Sequence, residues 1–306
     1  MSSPFPLLRL PRLVLFDVFK SLRIGEKIKL SLCSKRISTQ IYNARLYSQK
    51  VIVDLDCLTH KIRVCSEDHR DAFKVFTYPD PYLESHNSDI QQLPIACRAV
   101  RHTSIYIGIT FLSAIRHLLK MFQCKFSTSI RSYIGGSYQP TLPKLFDLQM
   151  EFKTLTIEFY EFKDLNFLWN KMFSKFGLVE DLSLSSSFYP DFRPVFTSWP
   201  QTINILNSDW FTVEHLLKCT CSRITLFNST LGNKDLDVVL RKWKTGGFPN
   251  LKCMKISSQN ITNKGTTILG MHLRELSKKV IQTDDETKKA IIKNGFSRIE
   301  VYVIQF

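Results

Sequence analysis

Apolar positions in the first fifty residues recur at helical spacing. Over Arg12 to Leu22, about 100° of rotation per residue places Val14, Leu15, Val18, Phe19 and Leu22 on one broad face and turns Leu13 and Phe16 away. Between Glu26 and Tyr42 the pattern returns: Leu30, Cys33, Ile37 and Ile41 form one stripe, and Ile28 with Leu32 a second. Two short helices hide one face each against the other. Their second faces stay uncovered, and a segment of about 40 residues seldom stabilises itself without a partner. The spacing predicts an interface here.

Past residue 50 the pattern alternates. "VIVDLDCLTHKIRV" reads as a hairpin, and five helix-then-strand units follow. "LSAIRHLLKMF" precedes "CKFSTSI"; "LNFLWNKMFSKFG", ended by Gly177, precedes "VEDLSLS". "DWFTVEHLLKC" precedes "RITLF", and "LDVVLRKWKTGG" precedes "LKCMKIS". The fifth pair is "TDDETKKAIIKNG" before "SRIEVYVIQF", where Thr283 and Glu286 form a capping-box pattern and Gly295 a stop. Strand-like segments near 155, 182, 203, 224 and 253 are 21 to 29 residues apart. That interval predicts irregular leucine-rich-repeat-like units, each burying its apolar face against its neighbours. The fold class expected is mixed α/β: N-terminal helices, then a strand-and-helix solenoid. Trp169, Trp210 and Trp243 fall on apolar helical stripes and read as structural core.

Composition narrows the class. The 306 residues are 44% hydrophobic, enough for a sizeable core. Charges interrupt the apolar start at Arg9, Arg12, Asp17 and Lys20, so it lacks the apolar run of a secretory signal. "TSIYIGITFLSAI" is far short of the roughly 18 residues that span a bilayer. An intracellular chain, in cytoplasm or nucleus, is the expectation, with its eight cysteines as reduced thiols. Net charge is +15, of which +8 lies in residues 1 to 50, where ten Lys or Arg meet two acids. Such a patch suits an acidic protein or a nucleic acid.

Catalytic signatures are missing: the chain has no GxGxxG, GxxxxGK, HExxH or GxSxG stretch. Cys57, His60, Cys65 and His69 match no common zinc spacing, and Cys219 with Cys221 read as thiols pointing apart at a helix end. No cofactor, metal or catalytic residue is expected. Nucleic-acid binding is the rival of another class, resting on "KIKLSLCSKR" at 27 to 36. The apolar residues inside that run fit a protein interface better than a phosphate-tracking groove, and an acidic partner accounts for Lys27, Lys29, Lys35 and Arg36 equally well.

Leu10-Pro11, the apolar run to Phe19 and Leu22, then Ile24, Ile28, Leu30, Leu32, "CSKR" and Ile41 resemble the F-box over residues 4–47. Arg12-Leu13 departs from it where an acid is usual, and Ile37 where Trp is common. Residues 203–257, through Trp210, Leu216, Leu226, Asn228, Leu236, Leu240, Trp243, Asn250 and Ile256, resemble the type 2 F-box-associated domain of nematode F-box proteins, placed at about 195–262. The resemblance implies a non-catalytic substrate-recruiting adaptor. It would dock on a Skp-type adaptor through Leu10, Pro11, Leu15, Phe19, Leu22, Ile24 and Leu32, reach a cullin and a RING subunit through it, and hold a protein substrate in 48–306.

Overall fold

A computed structural model describes residues 7–44, 51–56, 61–67, 70–77, 98–101, 104–132, 145–147, 150–159, 172–185, 194–264 and 266–305. The chain divides into two compact units, 1–129 and 130–306. Trp169, Cys57, His60 and His69 lie outside the described residues.

The first unit opens with α1 (Arg12–Ser21), α2 (Ile24–Cys33) and α3 (Lys35–Asn43). Leu22 and Ser34 both adopt extended backbone and break the chain between them. The continuous helix expected from Glu26 to Tyr42 is therefore two helices. Ser34 causes the break, because its Oγ accepts the Arg36 amide at 3.2 Å and caps a new helix start. At the head of α2 the Arg23 amide donates to Glu26 Oε2 at 2.8 Å and the Ile24 amide to Asp71 Oδ2 at 2.7 Å.

Among the described residues six strands and one further helix complete this unit. They are β1 (Val51–Asp56), β2 (Lys61–Ser66), β3 (Ala72–Thr77), β4 (Arg98–Arg101), β5 (Ser104–Ile107) and β6 (Phe126–Ser132), with α4 (Phe111–Phe122) before β6. Their order is β6-β1-β2-β3-β5-β4. The expected hairpin is present, β1 and β2 pairing antiparallel with Asp56 opposite Lys61. Helix α2 lies so close on β3 that a Cβ at Gly25 would sit 2.3 Å from the Phe73 ring. Helix α2 thus has a sheet beneath it, which covers part of the apolar surface the sequence left without a partner.

In the second unit β7 (Phe152–Phe159), β8 (Val179–Leu184), β9 (Thr202–Ile205), β10 (Arg223–Leu226) and β11 (Cys253–Ser257) pair in parallel and in chain order. Helices α5 (Val213–Lys218) and α6 (Asn233–Lys244) occupy two of the crossovers. Three antiparallel strands, β12 (Val280–Gln282), β13 (Lys288–Gly295) and β14 (Arg298–Gln305), extend the sheet through β14 on β11. Gly177, expected to end a helix, lies inside a 3-10 turn, Phe176–Leu178.

The helix expected over 283–295 is a hairpin instead. Thr283 and Glu286 begin a turn: the Lys288 amide donates to Thr283 Oγ1 at 3.1 Å, Asp285 Oδ1 accepts the Thr287 amide at 3.1 Å, and Glu286 takes φ +61°. Ala290 and Ile292 are buried while Lys289 and Ile291 are not, the two-residue period of a strand. A Thr-x-x-Glu signature serves a turn as well as a helix start, and the alternation decides between them.

Register across β7, β8, β9, β10, β11 and β14 aligns Leu155, Leu182, Ile203, Ile224, Met254 and Val301 in one row, and Ile157, Leu184, Ile205, Leu226, Ile256 and Ile299 in the next. None of these twelve is more than 1% exposed. Helix α6 adds Leu236, Val239, Leu240 and Trp243 to the buried set, at i, i+3, i+4 and i+7. Trp243 is 1% exposed, and its Nε1 has no hydrogen-bond partner among the described residues.

Emptying that site leaves a cavity, so Trp243→Ala is expected to cost about 3–5 kcal/mol. Trp243→Phe, which deletes a donor without a partner, should lose less than half as much. Thermal or urea unfolding of the two variants checks this; equal losses would place the tryptophan's contribution in its indole N–H.

Candidate functional site

The outward residues of the same strands form two more rows. Thr156, Ser183, Asn204, Thr225, Lys255 and Glu300 stand opposite one another in register, as do Thr154, Asp181, Thr202, Arg223, Cys253 and Tyr302. Every member except Cys253 is half-buried or exposed. One face of the sheet is therefore apolar and covered, and the other carries Thr and Ser hydroxyls and the Asn204 amide, with Asp181 and Arg223 among them and Lys255 and Glu300 at one end. Near its middle Asn204 Oδ1 is buried with no partner among the described residues.

At the charged end Tyr302 donates to Glu300, which also pairs with Arg298. The Tyr302 hydroxyl, and then the cations Arg298, Lys255 and Lys293, hold the Glu300 carboxyl below its usual range against the opposing effect of burial. Lys255 and Lys293 stand over the Tyr302 ring at 5.7 and 5.1 Å. This end is preorganised, with each charge held by another.

Loops leaving the strands repeat. Asn207-Ser208-Asp209-Trp210 follows β9 and Asn228-Ser229-Thr230-Leu231 follows β10. Ser208 Oγ donates to the Phe227 carbonyl at 2.7 Å, and Asn228 Nδ2 donates to Asn207 Oδ1 at 3.2 Å. Asn233, 5% exposed, donates to the carbonyls of Thr262 and Thr266 at 2.8 and 2.9 Å and accepts the Thr262 amide at 3.1 Å. These bonds fix one strand-to-loop edge of the layer.

An aromatic group stands beside α5. Phe196 stacks on Trp199 at 4.2 Å and lies 6.3 Å from Trp210. His215 Nδ1 accepts the Thr212 amide at 3.1 Å, which leaves the proton on Nε2 to donate to the Pro194 carbonyl at 2.9 Å. Trp210 is 6% exposed; Trp199, a tryptophan the sequence reasoning passed over, is half-buried.

Cys219 and Cys221 do not point apart. Both are buried and their thiols hydrogen-bond, and that bond together with burial pushes the Cys221 thiol up. The thiolate that redox chemistry needs is disfavoured there. Among the described residues no three His, Cys, Asp or Glu gather as metal ligands, and no helix is long and apolar enough to cross a membrane.

In the first unit the seven residues named for docking divide. Leu15, Phe19 and Ile24 are buried within the unit, Leu10, Leu22 and Leu32 are half-buried, and Pro11 is exposed. Leu13 at 78% and Val14 at 47% exposure are the prominent apolar surface of α1, and the face count had turned Leu13 to the far side. The basic run divides too. Lys27 is 1% exposed and its ammonium is pushed down by burial, against the pull of Asp71 and Glu26; Lys29 stands 5.4 Å from the Phe73 ring centroid; Lys35 and Arg36 are exposed. A run with its first cation buried and its second over a ring is not a continuous phosphate-facing stripe.

Comparison with known proteins adds a family to this geometry. Residues 191–256, which carry β9, α5, β10, α6 and most of β11, match the family described as F-box associated. An uncharacterized protein of Caenorhabditis elegans is similar at 21% identity over 282 residues, covering 85% of this chain. The chain spans 62% of that relative's length. No solved structure matches.

Because its carboxyl is held low, Glu300 contributes stability that is fully present above the ordinary glutamate value of about 4.3 and is lost as pH falls below it, through the lowered value of the folded chain. The stability gap between the wild-type chain and Glu300→Gln should accordingly be widest near neutrality and close in acid. Denaturant unfolding from pH 7 to pH 3 reads it; a gap constant with pH would contradict the ionic account.

Proposed function

We propose that this chain is the substrate-recruiting subunit of a Skp-cullin-F-box type ubiquitin ligase. The observation that carries the reading is the F-box associated match at 191–256, on the same chain as the Leu10-Pro11 three-helix segment. In this reading residues 4–47 are an F-box, and 48–306 hold the substrate on an irregular leucine-rich-repeat-like layer. Parallel strands β7 to β11 in chain order, with buried rows on one side and an open polar face on the other, support the second part.

The docking surface proposed for a Skp-type adaptor is the exposed and half-buried set Leu10, Pro11, Leu13, Val14, Leu22 and Leu32. Leu15, Phe19 and Ile24 shape it from beneath, since their burial fixes how α1 and α2 present that set. The excess of +8 in residues 1 to 50 suits an acidic adaptor. The open sheet face is the proposed substrate surface: its hydroxyls and amides offer both donors and acceptors, and its charged end adds selectivity. Such a subunit needs no catalytic group of its own. It accelerates ubiquitin transfer by holding a substrate lysine near a thioester carried by another subunit.

Binding of the full chain to a purified Skp-type adaptor tests the reading. Leu10→Ala with Pro11→Ala, and separately Leu13→Asp, should each weaken the complex at least about tenfold, the loss of buried contacts at about 1–3 kcal/mol apiece. Undiminished affinity in both variants contradicts the interface. Submicromolar binding to one defined nucleic acid at physiological salt, lost when Lys35 and Arg36 are neutralised, would favour the basic binder instead.

A further inference from the structure

A cavity of about 570 Å³ opens in the first unit between α3 and α4. Facing stripes of neighbouring helices are ordinarily apolar, because that is how helices bury surface against each other. These two stripes are polar. Helix α3 turns Lys35, Ser38, Thr39 and Tyr42 into the cavity, at i, i+3, i+4 and i+7. Helix α4 answers with Ser113, His117 and Lys120, at i, i+4 and i+7. Among the described residues no aspartate or glutamate lines the cavity and neither lysine has a salt bridge.

The wall is held from behind. Ser31, 3% exposed, donates through Oγ to the Ile28 carbonyl at 2.7 Å and stands 2.8 Å from His117 Nε2. With its only proton given to Ile28, Ser31 accepts from Nε2–H, so His117 keeps its imidazole plane fixed and leaves Nδ1 as the second ring nitrogen. Burial, and then Lys120, push the His117 imidazolium down and favour the neutral ring. Ile109 and Met121 supply apolar surface to the same cavity.

We propose that this cavity binds a small organic phosphomonoester. Lys35 and Lys120 take the phosphate from the two helices, the hydroxyls of Ser38 and Ser113 donate to its oxygens while Thr39 keeps its proton on the Lys35 carbonyl at 2.9 Å, and the organic body lies against Tyr42, Ile109 and Met121. A cavity of this volume suits a small-molecule ligand, and two cations with two seryl donors and no carboxylate among the described lining residues suit a dianion better than any neutral group. The site is independent of the proposed ligase role. Leu32 lines the same cavity and belongs to the proposed adaptor surface, so the measurement uses the free full-length chain.

Calorimetric titration with phenyl phosphate is the test, run beside phenol, inorganic phosphate and a phosphoserine peptide. Saturable one-to-one binding of phenyl phosphate is expected, with inorganic phosphate weaker and phenol without saturation. Lys35→Gln with Lys120→Gln should weaken phenyl phosphate at least about tenfold while leaving thermal unfolding unchanged, since both side chains are exposed. Should the double variant unfold, Lys120→Gln alone must still weaken binding severalfold. Absence of saturable binding, equal affinity in the lysine variants, or inorganic phosphate binding as well as phenyl phosphate would overturn the proposal. A phosphoserine peptide that binds more tightly than phenyl phosphate and displaces it would overturn it in favour of a phosphoprotein site.

Discussion

Two rows of aliphatic side chains running across β7, β8, β9, β10, β11 and β14 are the constraint on which the second unit depends. Each strand contributes one residue to each row, and each row is closed to solvent along its whole length. Strand geometry then leaves no freedom for the alternating positions, which must face the other way. Thr156, Ser183, Asn204 and Thr225 are outward because Ile157, Leu184, Ile205 and Leu226 are inward. A register slip of one residue on any strand would bury a hydroxyl and expose an aliphatic chain. The polar face is thus specified by the core beneath it, and at its charged end also by the contacts among Tyr302, Glu300 and Arg298.

A different device organises the first unit. Short helices with apolar residues on every side cannot satisfy themselves, and here α2 is set down on β3 at a separation only glycine permits, with Phe73 against Gly25. Asp71 adds a polar anchor at the head of the same helix. Lys27 is drawn into the contact by Asp71 and Glu26, so a residue that looked like part of a binding surface is instead part of the joint. On α1, which packs against α3, Leu15 and Phe19 are buried while Leu13 and Val14 stay exposed.

Much of this was legible in the chain, for reasons that also mark the limits. Strands at 155, 182, 203, 224 and 253 announced themselves by period, and Leu236, Val239, Leu240 and Trp243 fit one helical stripe only. The hairpin over 280–295 was hidden because "KKAIIKNG" satisfies a helix and a strand over so few residues, and Thr283 with Glu286 weighted the wrong one. The break at Ser34 lay inside an apolar stripe that runs unbroken through it. Which face of α1 is covered depends on how it packs against α3 in the folded unit, which no local pattern reports. Thr156, Ser183, Asn204 and Thr225 were visible as alternating polar residues, yet their alignment into one surface requires the register between strands. The repeat Asn-Ser-x-apolar at 207–210 and 228–231 was the available signal for that register. The cavity between α3 and α4 left a trace too, in the polar residues at helical spacing from Lys35 to Tyr42.

In the proposed function one chain carries two independent binding surfaces, one for a ligase adaptor in the first unit and one for substrate on the polar sheet face of the second. Quantitative capture of the full chain from cells with degradation blocked, comparing wild type with Asn204→Arg and Thr225→Arg on the open face, tests it most directly. The account predicts that adaptor recovery is unchanged in both variants while the other captured proteins are lost, because a long cation at the centre of a hydroxyl and amide field repels what that field recognised. Loss of the adaptor together with those proteins, or retention of all of them, would contradict it.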